Sequence, residues 1–96
     1  MMMKVSKLNW IDLLILQCLI QNKNKLSILE LKALLHNNNS KNITYNYLWK
    51  RVNYMKTLGI LEGDKYNVRI RKDLFNEITH LIIACLSIEE KLCFKK

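Results

Sequence analysis

Apolar side chains recur along the chain in five blocks, separated by short polar runs. The first block, Trp10 to Ile20, is apolar almost all round, so it predicts a helix buried on more than one side. Asn9 stands at its N-cap with Asp12 three residues on, like a capping box with a shorter acid. The polar run Gln21–Lys25 ends it. Lys25-Leu26 then fits a very short strand. Ser27-x-x-Glu30 is a full capping box, opening a second helix that carries Ile28, Leu31, Leu34 and Leu35 on one face and ends near His36. The stretch from His36 through Asn39 to Ser40 reads as a loop.

A third helix is expected from Thr44, a good N-cap, to Gly59, a natural left-handed C-terminal residue. Stepping 100° per residue puts Val52 and Met55 within about 40° of Leu48, and these three define the buried stripe. Asn46, Lys50, Asn53 and Thr57 fall on the opposite side, with Arg51 nearer the buried side and Trp49 and Tyr54 on the flanks, where they read as partial core or interface residues ahead of base-stacking groups. A hairpin follows. Ile60-Leu61-Glu62 is one strand, Gly63-Asp64 the turn, and Lys65 to Arg71 alternates, with Tyr66, Val68 and Ile70 facing inward. In the last helix, about Lys72 to Leu92, the residues Leu74, Ile78, Leu81, Cys85, Ile88 and Leu92 are spaced 4, 3, 4, 3, 4. That heptad seam predicts contact with a second subunit, with packing inside the chain across the first helix as the alternative.

Composition sharpens this picture. Ninety-six residues hold one hydrophobic core, and the absence of proline with only two glycines excludes a turn-rich β-sandwich. No apolar run approaches the roughly 20 residues of a membrane span, and no signal peptide is legible. Three cysteines, Cys18, Cys85 and Cys93, show no CxxC spacing, so neither a zinc site nor a disulfide framework is expected, and the thiols read as free in a cytoplasmic protein. An intersubunit disulfide through Cys85 or Cys93 is the alternative. His36 and His80 stand alone, and Glu89-Glu90 point about 100° apart on a helix. No phosphate-binding glycine loop, HExxH or nucleophile–base pair occurs. The expectation is a protein without enzymatic activity, cofactor, metal or small-molecule ligand.

Charge points to a partner. Sixteen Lys and Arg against eight Asp and Glu give a formal +8, which favours a polyanion such as nucleic acid. The excess is uneven: residues 42–58 hold three bases and no acid, whereas residues 72–96 hold four of each.

The order helix, short strand, helix, helix, hairpin, helix resembles the winged helix-turn-helix family. The carriers are the capped second helix, the loop through Asn39 and the run from Ile43 to Leu61, whose close (Met55, three residues, Gly59, then Ile60-Leu61) is similar to the family's passage from recognition helix into wing. The resemblance covers about Asn9 to Arg71, within a domain of residues 1–71, followed by a dimerisation helix, 72–96, packed on the same domain. The added helix is similar to that of small archaeal and archaeal-virus proteins with this fold, which would place the protein in the cytoplasm, that of the host if it is viral. The resemblance implies a mainly α fold with a small β-hairpin and a homodimeric transcriptional regulator on double-stranded DNA. It places Thr44, Tyr45, Asn46, Trp49, Lys50 and Asn53 at the base-reading surface, Arg51 on a phosphate, and Lys65, Arg69 and Arg71 on the backbone or minor groove. Asp64 and Glu62 near the wing tip oppose deep insertion. A sequence-indifferent chromatin protein and a protein-interaction module are the rival functions, because winged helices serve both.

Overall fold

The computed structural model describes residues 8–39 and 43–93, and their side chains except those of 37–39 and 85–93. It is mainly helical, with a small two-stranded antiparallel hairpin: α1 (Trp10–Gln21), α2 (Ile28–Asn39), α3 (Tyr45–Thr57), β1 (Leu61–Glu62), β2 (Arg69–Ile70), one 3-10 turn (Lys72–Leu74) and α4 (Phe75–Cys93).

Local chemistry sets the helix starts. The Asp12 backbone N–H donates to Asn9 Oδ1 at 2.9 Å, and the Asn9 N–H donates to Asp12 Oδ2 at 3.1 Å, closing a reciprocal box. Ser27 and Glu30 repeat it at α2, at 2.8 and 3.1 Å. Thr44 Oγ1 accepts the Tyr47 N–H at 3.1 Å. The end of α3 is equally well defined: Gly59 takes φ +80°, its N–H donates to the Lys56 carbonyl, and the Ile60 N–H donates to the Met55 carbonyl. Those two bonds make a Schellman motif, which needs a residue at ease with positive φ.

The core centres on α1, which packs against α2, α3, β2 and α4. Ile15, Leu16, Cys18 and Leu19 are buried there. Ile28, Leu31 and Leu35 come from α2; Leu48, Val52 and Met55 come from α3, all three at 0% exposure. The hairpin pairs Leu61 with Ile70 and Glu62 with Arg69. Leu26 forms an isolated antiparallel bridge to Val68, as the Lys25-Leu26 pattern predicts. Asn24 extends that edge with its side chain, donating to the Ile70 carbonyl at 2.9 Å and accepting the Ile70 N–H at 2.7 Å.

Three expectations are corrected. First, α2 runs to Asn39, through the expected loop from His36; Asn costs a helix only up to about 0.7 kcal/mol per residue, and no glycine or proline breaks the run. Ser40 lies outside the described residues. Second, Tyr66 faces solvent at 72% exposure, although Val68 and Ile70 are buried. Asp64 is the cause. Its Oδ1 accepts the Tyr66 N–H and its carbonyl accepts the Asn67 N–H, so a turn occupies part of the expected strand and alternation does not reach back to Tyr66. Gly63, at φ +98°, is required here: a Cβ would lie 2.0 Å from the Asn67 carbonyl oxygen. Third, the heptad seam is not a single intersubunit face. Leu74 and Ile78 are buried in the chain's own core together with Ile82, in steps of four, where α4 crosses α1. Leu81 and Ile83 remain exposed, at 37% and 54%. The side chains of Cys85, Ile88 and Leu92 lie outside the described set, as does that of Cys93.

Candidate nucleic-acid interface

With Leu48, Val52 and Met55 fixed in the core, the opposite side of α3 is fixed too. Thr44, Asn46, Tyr47, Lys50 and Thr57 are exposed and Asn53 is half-buried. Tyr45 and Trp49, both expected at the reading surface, are half-buried and pack against the core. No acid lies anywhere in α3. The face therefore offers amide, hydroxyl and ammonium groups without a competing carboxylate of its own.

Arg51 does not join them. Its Nε donates to Asp12 Oδ1 at 2.9 Å and its Nη2 to Asp12 Oδ2, a two-pronged pair with a carboxylate at 0% exposure. The guanidinium also lies 4.7 Å from the centroid of the Tyr54 ring. The hydrogen bond to Asp12 raises the Arg51 pKa above its already high ordinary value. A buried carboxylate needs such a partner, because its desolvation is otherwise uncompensated. The expected phosphate contact of Arg51 is thus replaced by a structural bond between α1 and α3.

Both hairpin arginines are paired as well. Arg69 Nε donates to Glu62 Oε2 at 2.9 Å, across the two strands. Arg71 Nη2 donates to Asp73 Oδ2 at 2.8 Å, and its Nη1 to the Gly59 carbonyl at 3.3 Å. These pairs are partly exposed and worth about 0–1 kcal/mol each, so a phosphate can compete for either arginine. Lys65 differs. It is exposed at the hairpin turn, 5.3 Å from the Tyr66 ring centroid, and is not in a salt bridge among the described residues. Lys50 is likewise outside these pairs.

Two contacts hold the surface in shape. Lys56 Nζ donates to the Gly63 carbonyl at 2.7 Å and lies 5.7 Å from the Trp49 ring centroid, tying α3 to the hairpin. Asn9 Nδ2 donates to Tyr47 Oη at 3.1 Å, tying the start of α1 to the exposed face.

Sequence reasoning missed the Asp12–Arg51 pair, although it left one signal. Asp12 is the sole acid in an otherwise apolar helix, and Arg51 is the base nearest the buried side of α3. Tyr47 and Tyr66 carried no such signal. Burial pushes the Cys18 thiol pKa up, so this cysteine is an inert core residue. Among the described residues no helix is long and apolar enough to cross a membrane, and no three His, Cys, Asp or Glu side chains converge. Comparison with protein-family models, curated proteins and solved structures returns no match for this chain.

Proposed function

We propose that this protein is a homodimeric winged helix-turn-helix DNA-binding protein acting as a cytoplasmic transcriptional regulator. The order of elements supports this reading, with the Leu26 bridge as the third strand beside β2, α3 as recognition helix and the hairpin as wing. One observation carries it: α3 sets Leu48, Val52 and Met55 at zero exposure and turns Asn46 and Lys50 outward on an acid-free face. Amides suit adenine edges, and a lysine suits guanine or phosphate. Lys50 and Lys65 are the leading cationic contacts, with Arg69 and Arg71 recruited from their carboxylates. Self-association through α4 would use Leu81, Ile83 and the helix beyond them, since Leu74 and Ile78 are enclosed.

Gel-shift titration of a duplex across a salt series tests the reading. Affinity should fall steeply as salt rises, by release of counterions from the phosphates. A competing excess of random-sequence duplex should leave a preferred site occupied. One observation favours a second reading, a sequence-indifferent architectural protein: Arg51, Arg69 and Arg71 are all held by carboxylates, and arginine makes the commonest base-specific contact. In that case random competitor displaces every duplex equally.

A further inference from the structure

A second basic surface lies at the other end of the molecule. Lys23, Asn24, Lys72, Phe75 and Asn76 line a cleft of about 400 Å³, between the turn after α1 and the start of α4. Lys23 and Lys72 are exposed, and neither is in a salt bridge among the described residues. Asp73 and Glu77, the acids nearest to Lys72 in sequence, are not among the lining residues, and Asp73 is held by Arg71.

The cleft is built on a fixed frame. Lys23 and Asn24 have φ of +63° and +59°, a conformation that non-glycine residues rarely hold for two positions running. The Asn24 N–H donates to the Leu19 carbonyl at 2.7 Å, and its side chain grips both polar groups of Ile70. The backbone that carries Lys23 is therefore pinned to α1 on one side and β2 on the other.

Two rulers place the cleft away from the exposed face of α3. From Asn9, bonded to Tyr47, α1 runs roughly 20 Å to Lys23 at 1.5 Å per residue. Along the strand edge, the Ile28 N–H meets the Lys65 carbonyl, Leu26 meets Val68 and Asn24 meets Ile70. Lys65 therefore marks one end of that edge and the cleft the other, on the order of 15 Å apart. By these rulers Lys23 and the cleft are set roughly 15–20 Å back from Tyr47 and Lys65.

We propose that this cleft holds the phosphate backbone of a second DNA segment, so that one protomer joins two duplexes. The inference rests on the α3 reading for the first duplex. Two lysines act as point charges without the planar fork of arginine, which suits contact with any sequence. The cleft is shallow and broadly open to solvent, and a small ligand needs most of its surface enclosed, so a polymer lying across it fits better.

The test uses the full chain, one duplex fixed to beads and a second, fluorescent duplex in solution, beside a gel shift on a single duplex. The wild-type protein should retain the fluorescent duplex on the beads, and capture should fall with salt. The Lys23→Glu/Lys72→Glu variant should lose capture at least tenfold while its single-duplex affinity stays within about threefold. Lys23→Gln/Lys72→Gln should lose less. Capture by the double-Glu variant at the wild-type level would overturn the proposal and assign bridging to paired α3 faces in a dimer. Single-duplex binding without any wild-type capture would overturn it while leaving the α3 reading intact. Loss of all duplex binding by the wild type would remove both.

Discussion

The exposed side of α3 and the hairpin both look basic along the chain, yet they present charge differently. Lys50 projects from an acid-free helix face. Arg69 and Arg71 lie against Glu62 and Asp73. Formal charge is therefore a poor guide to the charge a partner meets. A cation beside a carboxylate contributes little to the outward field until something displaces that carboxylate. Arg51 extends the contrast within α3 itself: one residue after Lys50, its guanidinium points into the protein and secures a buried acid.

The largest effect should come from the inward member of that contrast. Arg51→Ala leaves Asp12 buried without its cation and should lower unfolding free energy by about 3 kcal/mol, read from urea denaturation. A loss below about 1 kcal/mol would show the pair to be dispensable. Lys50→Ala should leave the urea midpoint unchanged while weakening duplex binding about tenfold and reducing the salt slope by about 1. Equal binding by Lys50→Ala and wild type would move the interface elsewhere. Glu62→Gln releases Arg69 and should tighten duplex binding by about two- to threefold, in keeping with a pair worth about 0–1 kcal/mol. Arg69→Ala should have the smallest effect, roughly twofold or less, because this arginine is already neutralised. A tenfold loss from Arg69→Ala would reverse the ranking of helix over hairpin.

Much of the fold is legible in the sequence where short-range chemistry decides it. The boxes at Asn9 and Ser27, the cap at Thr44 and the left-handed stop at Gly59 each involve residues a few positions apart. The buried stripe of α3 follows from a period of 3.6, because an isolated run of apolar positions on a mostly polar helix has one orientation available. Long-range partners are harder to read. Asp12 and Arg51 are 39 residues apart, and a helical wheel says which side each occupies but not what stands opposite. The α4 pattern shows an apolar stripe, whereas only the placement of α1 shows that Leu74, Ile78 and Ile82 are covered from within. Tyr66 illustrates a third limit. Alternation predicts a strand face only while the strand continues, and the Asp64 side chain ended it early.

For the candidate face of α3, Asn46 and Lys50 were legible as a pair on the outward side, and the structure leaves both exposed. Tyr45 and Trp49 were harder to place, since large aromatic rings at the edge of a helix stripe can pack down onto the core, as both do here. The cleft at Lys23 and Lys72 joins residues 49 positions apart and gave no pattern in the sequence.

Fluorescence anisotropy of a labelled duplex, titrated from low to high salt with the wild-type protein and with Lys50→Ala/Lys65→Ala, tests most directly whether the outward side of α3 and the hairpin turn meet DNA. With Lys50 and Lys65 both on phosphates, the logarithm of affinity should fall linearly with the logarithm of salt, at a slope of roughly −2 or steeper. The double variant should lose about 2 from that slope; a flat wild-type line, no bound duplex at the lowest salt, or an unchanged slope in the double variant would contradict it.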